Sequence, residues 1–217
     1  MQIRKIFIYA IFIIILFPFS SFILAQTGLT WTTVKIEGHG RINLPSNMEI
    51  QAGQYKENQE KIKEILGIAA SKVIFQQSNL NSQSTDGFQT YARVMIKTAI
   101  GNKGTYQKLI ELNYSAAEIQ GINSKYKGEI YETAKAFNSE ILEYTSTKLT
   151  KINGMPCITF GYSRKMGVNP PVKITIYIFE NNDRQHLLTF EYRIKDELIW
   201  KPTFESILKS YKIDSIL

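Results

Sequence analysis

The chain has 217 residues, with 26 Lys and Arg against 19 Asp and Glu, two histidines, one cysteine and a formal net charge of +7 at pH 7. That length suits one domain with a sizeable core. The lysines alternate with glutamates, as in Lys56-Glu57, Glu60-Lys61 and Lys63-Glu64. This argues against the clustered basic surface that nucleic acid requires, and one cysteine excludes an internal disulfide.

Arg4 and Lys5 precede an unbroken apolar run from Ile6 to Phe17, which Pro18, Ser20 and Ser21 interrupt, and Ala25-Gln26 offers a small residue for cleavage. That is the three-part layout of a secretory signal peptide, 1–25, cut after Ala25. The domain expectation is therefore a leader followed by one globular unit, 26–217. Arg4 and Lys5 would leave with the leader, lowering the net charge to about +5. The alternative is an uncleaved N-terminal membrane anchor, since Ile6 to Leu24 approaches the length that crosses a bilayer. The expected location is secreted or periplasmic. Ile23, two residues before the cleaved position, is larger than a signal peptidase prefers.

Trp31 to Ile36 is β-prone, Gly38-His39-Gly40 reads as a turn, and Arg41 to Pro45 as a short strand. Tyr55, Ile62, Ile65, Leu66 and Ala69 recur at helical spacing and predict a helix over 54–70. Lys72 to Gln76 reads as a strand and Asn79 to Gly87 as a polar loop. Thr90 to Ile100 alternates, with Ala92, Val94 and Ile96 on one face and Tyr91, Arg93, Met95 and Lys97 on the other.

The stretch 103–144 reads as helical in two pieces, the second opened by the capping box Ser115-Ala116-Ala117-Glu118. Its expected apolar stripe is Ile119, Ile130, Ala134, Phe137 and Ile141, with a break near Gly121 or Gly128 because glycine costs about 1 kcal/mol in a helix interior. Asn153-Gly154 predicts a hairpin turn between strands 148–152 and 157–164. Val172 to Phe179 and Leu187 to Ile194 read as a further antiparallel pair across Asn181-Asn182-Asp183, with Leu188, Phe190, Tyr192 and Ile194 sharing a face. Apolar residues on both faces of these strands predict cover on both sides. The chain closes with a helix near 199–209, in whose first turn Pro202 is acceptable. Its buried face is Trp200, Phe204, Ile207, Leu208 and Tyr211.

Ile42-Asn43-Leu44-Pro45, the Ile152-Asn153-Gly154 hairpin leading into Ile158 to Tyr162, and the closing run Trp200 to Ile213 together resemble the PsbP-like (PsbP/Mog-type) family, with its secreted bacterial members of unknown role. The resemblance implies an α+β fold, a single-domain α/β/α sandwich around a central, mainly antiparallel sheet. The helical stretch 103–144 departs from the compact members. No metal, photosystem or Ran-contacting motif of the family is matched, so the resemblance implies a fold and no activity.

Catalytic, metal and cofactor-binding residues are all expected to be none. Two histidines, His39 and His186, without GxSxG do not make a nucleophilic site, and no tight ligand spacing suggests zinc. Gly101-Asn102-Lys103-Gly104-Thr105 lacks the P-loop pattern and reads as a turn. Glu180 and Glu191 read as ordinary exposed strand carboxylates rather than a glycosidase pair. Cys157, in an apolar strand, reads as a buried inert thiol. Asn113-Tyr114-Ser115 is a formal glycosylation sequon.

The function expected is an exported, non-enzymatic binding or accessory module. Its partner would be a protein or small ligand of the cell envelope, with no nucleic acid, and with the membrane only through an uncleaved leader. Tyr162, Arg164 and Lys165, followed by Met166 to Pro171, are the candidate contact groups. The plainer reading of Gly167 to Pro171 is a rigid hairpin connection. A small envelope hydrolase or transferase and a membrane-anchored assembly factor are the alternatives.

Overall fold

The computed structural model describes residues 28–36, 40–51, 71–80 and 90–213. Two compact units divide the chain, Met1–Trp31 and Thr32–Leu217, and the architecture below is that of the second, whose first strand starts at the boundary residue. The leader, the helix over 54–70, His39 and most of the polar stretch after Asn79 lie outside the described residues.

Among the described residues, ten strands and three helices follow in order: β1 (Trp31–Ile36), β2 (Gly40–Pro45), β3 (Met48–Ile50), β4 (Ser71–Gln77), β5 (Ala92–Ile100), α1 (Gln107–Ile110), α2 (Ala116–Ala136), β6 (Ser139–Ile152), β7 (Met155–Met166), β8 (Val172–Asn181), β9 (Arg184–Arg193), α3 (Glu197–Ser210) and β10 (Lys212–Ile213). Seven strands form one sheet in the order β3-β4-β5-β9-β8-β7-β6, and β1, β2 and β10 form a small second sheet. Every neighbouring pair in the large sheet is antiparallel.

Alternation splits the apolar side chains between two faces. Ala92, Val94 and Ile96 of β5 join Leu188, Phe190 and Tyr192 of β9, Phe179 of β8 and Cys157 of β7 in one core, closed by Trp200, Phe204, Ile207 and Leu208 of α3 and by Tyr211, which caps it. Ile158, Phe160 and Ile178 point the other way, packing with Leu109 of α1 and with Ile122, Tyr126 and Ile130 of α2. The fold is thus α+β, with helices on both faces of an antiparallel sheet. Each fully buried side chain of this size contributes about 1.5–3 kcal/mol through removal from water. Phe204 anchors α3, its ring centroid lying 5.1 Å from that of Phe190 and 5.8 Å from that of Tyr192.

Local sequence accounts for several joints. The capping box forms as expected, with Ser115 Oγ accepting from the Glu118 amide and Glu118 accepting from the Ser115 amide at 2.8 Å. Asn153 and Gly154 take φ of 53° and 79° and make the hairpin turn. Asn153 Nδ2 also donates to the carbonyls of Leu208 (3.3 Å) and Tyr211 (3.1 Å), fastening the end of α3. Gly40 sits at φ +137°, and a Cβ there would stand 2.1 Å from the Lys212 carbonyl oxygen. Only glycine lets β10 pair with β2 at that point.

Other expectations are corrected. The second helix does not reach 144: Asn138 turns at φ 48° and Ser139 begins β6, nine residues before the strand was expected. Ile141 belongs to that strand, and Phe137 is 66 % exposed. The β-branched and aromatic content of Ile141, Tyr144, Thr145 and Thr147 favours extended backbone once the turn is made. Gly121 and Gly128 do not break α2, because they lie on its exposed side while Ile119, Ile122, Tyr126, Ile130 and Ala134 carry the contact stripe. Ile194 leaves the strand face for a 3-10 turn, Ile194–Asp196, which starts α3 early and puts Pro202 beyond its first turn. The residue four before it, Leu198, is exposed, so the carbonyl freed by the missing proline N–H lies on the wet side of the helix. The three-residue β3 carried no separate signal.

Candidate functional site

The strand registers place side chains in rows across β5, β9, β8 and β7. At the end of the sheet bearing the β7–β8 connection, the Arg193 amide donates to the Tyr91 carbonyl (3.3 Å), Arg193 faces Val172, and Val172 faces Arg164. The next row is Arg93, Glu191, Ile174 and Tyr162. Both rows lie on the α1–α2 side of the sheet. Alternation thus gathers three arginines, two tyrosines and a carboxylate from β5, β7 and β9, with Val172 and Ile174 of β8 between them.

These groups contact one another. Tyr91 Oη donates to Glu191 Oε1 at 2.7 Å, and the same oxygen lies 3.5 Å from Arg164 Nη2. The guanidinium carbons of Arg93 and Arg193 lie 5.4 and 5.8 Å from the Tyr91 ring centroid, in cation–π range. Burial, reinforced by the Glu191 charge, pushes the Tyr91 hydroxyl well above its ordinary value, so it stays a donor. Burial likewise raises Tyr162, with Arg164 opposing and Glu191 adding. The start of β5 is fixed by Asp196, whose Oδ2 accepts from the Tyr91 amide at 3.0 Å. A cleft of about 200 Å³ opens over the outer row, walled by Met166, Asn169 and Pro170 of the β7–β8 connection.

Of the contact groups expected from sequence, Arg164, Met166, Asn169 and Pro170 line this cleft and Tyr162 stands in the row behind. Lys165 pairs with Glu140 of β6 and points to the opposite face. The connection is both things the sequence allowed: a turn, closed by the Asn169 amide on the Met166 carbonyl (3.1 Å), and a presented surface, with Val168 entirely exposed. Tyr91, Arg93 and Arg193 were not singled out. The available signal was the outward alternation of Tyr91 and Arg93 on β5.

The groups weighed for catalysis stand apart. Glu191 is not exposed as expected: it is buried, with 9 % of its surface accessible. His186 is also buried, its Nδ1 2.9 Å from Thr98 Oγ1, and an odd separation along β9 puts it on the opposite face from Glu191. Glu180 lies at the far end of the sheet, its carboxyl raised by burial against hydrogen bonds from Gln185 and the Leu109 amide. Cys157 is fully buried, and burial alone pushes its thiol up to about 12. Among the described residues, no three of His, Cys, Asp and Glu gather as a metal site, and no helix is long and apolar enough to cross a membrane. A second trough, about 290 Å³ over β6–β8, is lined mainly by hydroxyls and lysines such as Thr145, Lys148, Thr159 and Lys173, with no buried ionisable pair.

The chain is therefore an α+β protein with one antiparallel sheet layered between helices and an arginine-rich cleft at one sheet end. No protein-family model and no curated protein matches it. Among solved structures it is similar to cyanobacterial PsbP from Synechocystis, at 9 % identity and a TM-score of 0.49, covering 87 % of this chain and 96 % of that one. A protein of unknown function from Pseudomonas aeruginosa is similar at 11 % identity and a TM-score of 0.41, covering 86 % and 99 %. A Bacteroides thetaiotaomicron protein is similar at 11 % identity and a TM-score of 0.44 over 81 % of this chain. This chain spans 45 % of the Bacteroides protein's length. At such scores the fold rests on the sheet order described above.

Proposed function

We propose that the protein is an exported accessory module that works by binding, with the cleft beside the β7–β8 connection as its contact surface. The observation that carries this is the Tyr91–Glu191–Arg164 network. Its carboxylate oxygen already takes a phenol donor and a guanidinium, which suits a group that holds a surface in shape. A general acid or base instead needs a lone pair or proton within reach of substrate. Arginine, tyrosine and methionine beside an exposed apolar tip are also the composition that protein contact surfaces favour. Export rests on the N-terminal layout alone.

The test uses the mature chain as bait in a cell-envelope fraction, beside the Arg164→Gln/Glu191→Gln form, which removes the ion pair without leaving a lone buried charge. The expected outcome is a partner or ligand retained by the native chain and lost from the double variant. Recovery of both chains alone would count against the reading. N-terminal mass analysis tests export: a chain beginning at Gln26 is expected, and one beginning at Met1 in the membrane fraction would favour the anchored alternative.

A further inference from the structure

Three connections meet at the sheet end that carries the β7–β8 turn. Met166, the last residue of β7, pairs with Ser139, so the α2–β6 turn lies beside it. On the other side the Ile194 amide donates to the Pro171 carbonyl at 3.0 Å and brings in the β9–α3 turn. Each connection turns large apolar side chains into water: Phe137, Met166, Val168, Ile194, Leu198 (78 % exposed) and Ile199. None of the six belongs to either core cluster. Exposed apolar side chains scattered singly are ordinary, but a gathering of them at one end marks a contact surface. We propose that this end seats on an anionic lipid surface. The inference rests on the binding reading and deepens it by naming the partner as a membrane, met by the folded domain in addition to the leader.

Shape and charge both favour that occupant. Phe137 closes α2 on one face of the sheet, while Leu198 and Ile199 open α3 on the other. The apolar groups therefore stand on separate tips across the end of the sandwich, and only Met166 of the six also borders the cleft. A protein partner's anchors fill well-packed pockets; separate tips suit a plane that admits each of them. Val168 leads, between Gly167 at φ +54° and the stiff Pro170-Pro171 pair, so little chain entropy is lost when it inserts. Five lysines surround the tips: Lys135, Lys165, Lys173, Lys195 and Lys201. Against them stand Glu132, Glu140, which faces Lys165, and Glu197, which lies 3.4 Å from Lys173 and 3.5 Å from Lys201. The balance is positive. Lysine stems are long enough to carry their ammoniums to lipid phosphates while the apolar tips enter the acyl boundary.

Co-sedimentation tests this on the mature chain, with vesicles of equal parts phosphatidylglycerol and phosphatidylcholine beside vesicles of phosphatidylcholine alone. Binding to the anionic vesicles is expected to be at least about tenfold the stronger and to weaken as salt rises. Val168→Asp and Leu198→Ser are each expected to lose about tenfold in affinity while melting near the native temperature, since both side chains are exposed. Ile100→Ser alters an exposed residue at the opposite end of the sheet and is expected to change nothing. Val168→Trp should shift its emission to the blue on anionic vesicles where Ile100→Trp does not, a local readout that also serves the chain with its leader. No binding at millimolar anionic lipid, binding unchanged in both tip variants, or an equal loss in Ile100→Ser would overturn the proposal. If vesicles fail while Val168→Asp loses an envelope protein that the native chain retains, the surface is a protein contact: the lipid proposal falls and the binding reading stands. Vesicle binding that the Arg164→Gln/Glu191→Gln form keeps supports the lipid contact whether or not the cleft has a ligand. If vesicles and envelope retention both fail, both readings fall.

Discussion

Glu180 shows how one side chain's surroundings set a pH dependence. Burial raises its carboxyl, and the hydrogen bonds from Gln185 Nε2 (3.1 Å) and the Leu109 amide only partly oppose this. The folded state therefore holds a proton that the unfolded chain releases near the ordinary carboxylate value. Stability falls as pH rises through that window. Glu180→Gln keeps the acceptor and removes the charge. It is expected to raise the melting temperature at neutral pH and to leave it nearly unchanged below about pH 4, which paired thermal melts would show. Asn153 carries two duties that substitutions separate. Asn153→Gly keeps the turn but drops the bonds to Leu208 and Tyr211, at a cost of about 1 kcal/mol. Asn153→Ala also strains the positive φ and should cost about 1 kcal/mol more; urea midpoints would rank the two.

At the scale of elements, the long β6–β7 hairpin is shaped by its irregularities. The register slips between Ile141 and Glu143 and again between Thr145 and Lys148. The second slip frees the Thr147 amide from the ladder, and α2 supplies the replacement: Asn123 Oδ1 accepts from that amide at 2.9 Å and from Tyr144 Oη at 3.1 Å. The bulge bends an edge strand that would otherwise present a long flat ladder to other chains. Asn123→Ala should leave a part-buried amide without an acceptor and cost about 1–3 kcal/mol. Asn123→Asp retains the acceptor and should recover most of it. Hydrogen exchange at Thr147 is expected to quicken in the alanine variant alone, tying the loss to the bulge rather than to helix propensity.

The whole molecule depends on α3 closing one side of the sheet. Trp200, Phe204, Ile207 and Leu208 come from a single helix and Tyr211 from the residue that caps it, yet together they complete a core with side chains from β1 through β9. Trp200→Ala is expected to cost about 3–5 kcal/mol and to shift one cooperative transition rather than melt a local segment. Loss of α3 protection with the sheet intact would show that the helix is an appendage.

How much of this was legible beforehand follows from the range of the forces involved. The Ser115–Glu118 cap, the Asn153-Gly154 turn, the alternation of β5, β8 and β9 and the buried face of α3 are written within a few neighbouring residues, so the chain alone determined them. The helix end at Ala136 was not, because the helical stripe and the β-rich run after Phe137 overlap in pattern, and pairing with β7 decided between them. The cleft was invisible for a stronger reason. Tyr91, Arg93, Arg164, Glu191 and Arg193 come from β5, β9 and β7, which are brought side by side only because β9 pairs with β5 on one side and with β8 on the other, and β8 with β7. No local periodicity encodes that order; it comes from burying two faces of one sheet at once.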